Sequence, residues 1–275
     1  SSPWDGFNTG WQSGPYRVSA AAGYSGLILK GNARDGISAA DRQALTDSSV
    51  TFGPRRVLGL VGFSWNEAFW RQDAAVEVLG QADLGESGPL HSAYGSFQVS
   101  GNLPGGIRQR TFGSTDAALS GGQWTFGSLA GLELTATLPF LGSRVVSTAL
   151  WGGGTVGTGF QTISGNGLAD VVSLTTAHGA ALKVDWSIRP LAKTTVGAKV
   201  TGLWRTSTDV PAITGFSTST TDAWIGPEAG VYGSWTPEDD LSLGWVGGIF
   251  LPSSSAFLSG TASTWLAVLT ATLKL

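Results

Sequence analysis

An all-β chain, folded as an antiparallel up-and-down β-barrel of about twelve strands that spans a membrane, is predicted by three observations taken together. Side chains alternate between apolar and polar along most of the sequence, so each extended stretch has one face suited to lipid and one suited to polar groups. Charged residues make up only 13% while hydrophobic ones reach 41%, too few charges to cover a water-soluble domain easily. Short connections alternate with long ones, as they do when hairpins cross a bilayer.

No run of about 18 apolar residues occurs, so a transmembrane helix is not expected and strands must do the crossing. With no cysteine, disulfides and thiolate metal sites are excluded. Methionine is also absent, position 1 included, which is expected of a chain whose signal peptide has been removed. A net charge of -3 without a basic cluster argues against a nucleic-acid partner.

Residues 1–14 are rich in Gly, Ser and Trp without a period and read as a lead-in to a barrel occupying 15–275. From Tyr16 a period of two sets Tyr16, Val18, Ala20, Ala22, Tyr24 and Ile28 against Arg17, Ser19, Ala21, Gly23 and Ser25. The connection over 31–55 exceeds an ordinary loop, and Ser38 can cap a short helix running to Leu45. That segment is a candidate to fold inward as a constriction or plug. Residues 57–69 are apolar on both faces at their start, so their register is ambiguous. Over 74–84, Val76, Val78, Gly80 and Leu84 oppose Glu77, Gln81 and Asp83, and over 93–101 Phe97 and Val99 oppose Tyr94, Ser96, Gln98 and Ser100. Over 107–113, Arg108 and Arg110 are assigned inward, because a lipid-facing arginine costs about 2–4 kcal/mol at the bilayer midplane.

The middle of the chain alternates most clearly. Trp124, Phe126, Ala130, Leu132, Leu134, Ala136 and Leu138 oppose Thr125, Glu133, Thr135 and Thr137. Over 171–189, Val172, Leu174, Ala180, Leu182, Val184, Trp186 and Ile188 oppose Ser173, Thr175, Lys183, Asp185 and Ser187. The remaining strands are expected at 194–205, 222–235, 240–251 and 263–275. Tight connections at 70–73, 102–105, 139–142, 190–193 and 236–239 alternate with long ones at 31–55, 152–170, 206–221 and 252–262. Counting strands between them gives about twelve, an even number that returns both chain ends to one side.

The last stretch sets Trp265, Ala267, Leu269, Ala271, Leu273 and Leu275 on one wholly apolar face, against Leu266, Val268, Thr270, Thr272 and Lys274. Aromatic at one end and apolar at the terminus, it resembles the final strand of bacterial outer-membrane β-barrels, although Leu275 replaces the commoner Phe. The resemblance implies residence in the bacterial outer membrane, with 1–14 and both termini periplasmic and outer-membrane lipid as a partner. Backbone groups left unpaired in lipid are costly, so this strand is expected to close the barrel against the one beginning at Tyr16. A smaller likeness lies in Gly226-Pro227-Glu228 through Trp235-Thr236-Pro237, Asp240-Leu241-Ser242-Leu243 and Phe250-Leu251-Pro252. These resemble the penultimate hairpin of alginate-export-type porins, whose members have more strands, so their polysaccharide substrate is not carried over.

Inward residues set a barrel's selectivity. The inward candidates are Arg17, Arg108, Arg110, Lys183, Lys199, Arg205 and Lys274, with Glu77, Asp83, Glu133, Asp185 and Glu228 of opposite sign. Such balance suits charge pairs that fix the shape of the barrel, and Arg108, Arg110, Lys183 and Lys199 are alternatively the lining of a solute path. Tyr16, Trp186 and Trp235 are expected near the periplasmic rim and Tyr24, Trp124, Trp204 and Trp265 near the outer one, as aromatic girdles.

The function expected is an outer-membrane channel or conduit for passive passage of small polar solutes, without a cofactor, metal site or catalytic residue; a homo-oligomer is compatible with it. The alternatives are a translocator or export-associated barrel and an outer-membrane lipid-modifying enzyme. The enzyme would need a histidine beside a nucleophile. Only His91 and His178 exist, and His178, near Thr176, is expected on the lipid face as an interfacial side chain. A soluble β-sandwich is the competing fold, since its strands alternate in the same way.

Overall fold

The computed structural model describes residues 4–25, 56–84, 91–120, 122–154, 169–172, 178–207, 222–238, 240–254, 256 and 262–273. In chain order the strands are β1 (Trp4–Ser13), β2 (Tyr16–Ser25), β3 (Arg56–Phe69), β4 (Gln72–Asp83), β5 (His91–Leu103), β6 (Ile107–Ser120) and β7 (Gln123–Thr137). They continue with β8 (Arg144–Gly154), β9 (Gly179–Leu191), β10 (Thr194–Arg205), β11 (Trp224–Trp235), β12 (Leu241–Phe250) and β13 (Thr264–Leu273). All thirteen belong to one sheet in strictly sequential order. The only helical element among the described residues is a single 3-10 turn at Pro104–Gly106. A sequential sheet has none of the Greek-key crossovers that a β-sandwich requires.

The order follows from the connections. Residues 14–15, 70–71, 104–106, 138–143, 192–193 and 236–240 join successive pairs tightly, and antiparallel hairpins need no more. Longer stretches at 26–55, 84–90, 155–178, 206–223 and 251–263 make the intervening joins, with the two-residue join at 121–122 as the exception. The alternation expected from sequence is therefore present. In the 70–71 turn Trp70 and Arg71 have φ of 47° and 60°, a left-handed pair that Asn-Gly usually supplies. Trp70 is 89% exposed there.

The chain divides into two units, one of Ser1–Phe97 with Asp116–Thr125, the other of Gln98–Thr115 with Phe126–Leu275. In the first, register places Arg17, Ser19, Gly62, Ser64 and Glu77 on one face and Val18, Phe63, Val61, Val76 and Val78 on the other. In the second, Lys183, Asp185, Lys199, Thr201 and Glu228 share one face, while Leu182, Val184, Val200, Val231 and Leu269 lie on the opposite one. The apolar faces are not covered: Val61 is 58%, Val200 56% and Leu182 51% exposed.

Glycines on these strands admit rings from their cross-strand partners. Gly197 lies opposite Tyr232 and Gly233 opposite Trp245, and a Cβ on either glycine would run into the ring. The aromatic ring covers backbone that the glycine leaves bare, which compensates a residue otherwise poor in strands.

Four expectations are corrected. The lead-in at 1–14 contains β1, whose ten residues pair in unbroken register with β2. Its alternation is weak in sequence because only Phe7 and Trp11 mark the apolar side, with Gly, Asn and Gln opposite. Among the described residues the strand count is consequently thirteen rather than about twelve. The strand beginning at Tyr16 does not pair with the last strand, because β1 and β3 occupy its two edges. Finally, β9 starts at Gly179 rather than Val171, and Val171 and Val172 instead turn onto the polar face. The constriction expected at 31–55 falls outside the described residues, as does Lys274.

Candidate functional site

Each unit has its own polar face, and the charged residues singled out from sequence are found there unit by unit. In the first unit Arg17, Glu77 and Asp83 share it through the β2–β3–β4 register. Asp83 lies directly across from Arg56, 3.6 Å away, an ion pair that the ambiguous start of the third strand concealed in sequence. In the second unit the charged residues form two separate groups.

The first group surrounds a cleft of about 710 Å³ near the 104–106 and 138–143 turns. Arg108 and Arg110 of β6, Glu133 of β7 and Arg144 of β8 line it, with Gln98, Ser100, Asn102, Gln109, Thr135 and Thr137. Cross-strand register explains the convergence of β7 and β8: Thr137 faces Arg144 and Thr135 faces Val146. Arg110 is held in place. Its Nε donates to Gln98 Oε1 at 2.8 Å, and its guanidinium carbon stands 5.0 Å from the centre of the Phe112 ring. Gly131 makes room for that ring, since a Cβ there would collide with it. Arg144 was missed in sequence because it opens a strand directly after a turn, where two consecutive valines hide the alternation.

The second group fastens a chain segment to the sheet. Glu228 on β11, 2% exposed, would be an isolated buried carboxylate but for three backbone donors. Asp170 N donates to its Oε1 at 2.9 Å, and Val171 N and Val172 N donate to Oε2 at 2.8 and 3.4 Å. The side chain of Asp170 then takes Lys199 Nζ at 2.8 Å and Lys183 Nζ at 3.1 Å. Burial raises the Asp170 carboxyl, but hydrogen bonds from Lys199 and Lys183, with their charges, outweigh it and hold the group below its ordinary value of 3.8. Val171 rests over Gly248, where a Cβ would come within 2.7 Å of its Cγ2. Beneath the segment Val172, Ala181, Leu203, Ile225, Phe250 and Ala256 form a buried apolar cluster, joined at its edge by Leu150, Ala169 and Val171.

The basic residues named as one solute path are thus divided: Arg108 and Arg110 line the cleft, whereas Lys183 and Lys199 are bound to Asp170. In that second group the two lysines pair with Asp170, which lies outside the set of inward acids expected from sequence. Asp185 accepts from the Tyr232 hydroxyl at 2.6 Å, and Arg205 Nε donates to the Asp222 carbonyl at 2.6 Å.

The seven aromatics proposed as girdles lie on the apolar faces of their units, six of them at or next to a strand end and Trp186 within β9. Tyr16 stacks on Phe63 and Trp65, with Tyr24 at the other end of β2 and Trp124 at the start of β7. In the second unit Trp186 and Trp235 lie toward the tight turns, and Trp204 and Trp265 toward the long connections. Trp224 packs on Trp204 with ring centres 4.8 Å apart.

His178 departs from expectation. It is 5% exposed rather than set at a lipid surface, and among the described residues neither ring nitrogen has a hydrogen-bond partner. Its backbone carbonyl accepts from Thr206 N at 2.9 Å, just beyond the β9–β10 pairing. Burial pushes its pKa below the ordinary 6.5 and keeps the ring neutral. Among the described residues no three His, Asp or Glu side chains cluster as a metal site.

No model of a known protein family matches the chain. No curated protein matches it either, so the likeness to alginate-export-type porins gains no support.

Proposed function

We propose that the sheet closes into a transmembrane β-barrel in the bacterial outer membrane and serves as a conduit for small polar solutes. The observation that carries this reading is the consistent division of faces: charged and hydroxylated side chains on one, exposed Val, Leu and aromatic side chains on the other. In water each exposed Å² of such a face forgoes roughly 25 cal/mol of burial, whereas lipid accepts it. Strands of 10–15 residues are long enough to cross the hydrocarbon layer when tilted. Aromatics at the strand ends and in the turns, Trp70 and Phe140 among them, suit the two interfaces. Closure follows from the same physics, because unpaired strand edges are not tolerated in lipid. With an odd strand count it requires a parallel β1–β13 pair or an additional strand.

Planar-bilayer conductance tests the conduit, using protein whose folded state is verified by heat-modifiable gel migration. Discrete current steps are expected; a folded protein that inserts without current would overturn an open path. The segment at 169–172, folded onto the polar face, favours a second reading, a closed export-associated or structural barrel. Silent insertion is the result that reading expects.

A further inference from the structure

We propose that the cleft on β5–β8 is a binding site for a small oxyanion, a carboxylate or a phosphate group. On the conduit reading, on which this extension rests, it makes the solute class anionic. The cleft holds three guanidinium groups, Arg108, Arg110 and Arg144, and one carboxylate, Glu133, so these four residues carry three positive charges against one negative. Like charges held around one space repel, and the field they create draws a counter-charge into it.

The arginines are available for that role. Among the described residues none of the three forms an ion pair, in contrast to Lys183 and Lys199, which Asp170 already neutralises. Arg110 commits Nε to Gln98 and holds its guanidinium carbon 5.0 Å from the Phe112 ring centre, and among the described residues its remaining N–H donors stay unspent. A fixed fork matches the two oxygens of a carboxylate or phosphate in a way that a point cation does not. Thr135 and Thr137 add hydroxyls to the same wall. A volume of about 710 Å³ accommodates a small solute with part of its hydration shell. Glu133 is the discriminating element, since it repels a second negative charge and accepts from hydroxyl donors.

Titration calorimetry on the full chain, folded in detergent and checked by heat-modifiable migration, tests the site with sodium phosphate and sodium propionate in a sodium chloride background. Saturable binding of at least one oxyanion is expected; phosphate alone assigns a tetrahedral ligand, propionate alone a planar one. The double substitution Arg108→Gln with Arg144→Gln should weaken binding at least tenfold. Glu133→Gln should tighten it several-fold, a gain that misfolding cannot imitate and that keeps the test decisive if the double variant does not fold. No saturable binding of either probe, or binding indifferent to these substitutions, would overturn the site. Bilayer recordings separate the two readings: binding without conductance removes the conduit and leaves the site, and conductance without binding does the reverse.

Discussion

Glu228 on β11 accepts the backbone N–H of Val171 at 2.8 Å, joining positions 57 residues apart in the chain. Two further N–H groups share the same carboxylate, so one side chain positions three residues of an otherwise long connection. Hydrogen bonds to a charged group contribute about 1.5–3 kcal/mol each, and 1.4 kcal/mol is tenfold in an equilibrium. Glu228→Gln should therefore raise amide exchange of residues 170–172 by roughly tenfold or more. Hydrogen exchange read by mass spectrometry checks this, and unchanged protection would show that the segment is held by its apolar contacts alone.

The second fastening is pH-sensitive. The Asp170 carboxyl is depressed in the folded state, so its contribution is fully present above the ordinary value of 3.8 and is lost as pH falls through the lower folded value. Protection of residues 170–172 should fall in that window, and Asp170→Asn should remove the dependence while leaving the Glu228 bonds. His178, also depressed, acts in the same direction at higher pH: its neutral form is disfavoured relative to the unfolded chain once pH drops below 6.5. His178→Phe should flatten the stability profile between that value and the acid window, as read by denaturant midpoints.

A ring-over-glycine pair predicts a contrast between two apparently identical substitutions. Alanine at Gly197 meets the Tyr232 ring, whereas at Gly59 nothing stands within 4 Å of an added Cβ. Gly197→Ala should destabilise by about 1–3 kcal/mol through overpacking. Gly59→Ala should stay within about 0.5 kcal/mol of the unsubstituted chain. Urea unfolding measures both.

The apolar face gives the sharpest test of the membrane. Val200 lies at the middle of β10 with more than half its surface exposed. In a bilayer Val200→Arg should cost about 2–4 kcal/mol, and in water close to nothing. Refolding into lipid vesicles, with Val200→Leu as a neutral control, distinguishes the two, and an unaffected arginine variant would place this face in water.

Much of the sheet was legible before the structure was known, because a period of two assigns side chains to faces regardless of which strands pair. Arg17 and Glu77 opposite Tyr16 in one unit, and Lys183 and Lys199 opposite Trp186 and Trp265 in the other, follow from alternation alone. β1 was not legible, since glycine and short polar residues satisfy backbone pairing without signalling a face. Nor was the start of β9, where Val171 and Val172 continue the pattern of a strand yet leave the sheet.

The sequence by itself determined the strand class, the alternation of turns with long connections and the segregation of charge, all consequences of local backbone geometry. Only the tertiary structure decided which charges meet. Arg108, Arg110 and Arg144 converge because β6, β7 and β8 bring their turn ends together. Glu228 receives its donors from a connection far away in the chain. Such convergence depends on register between strands and on where a loop returns, and a side-chain period along one strand carries information about neither.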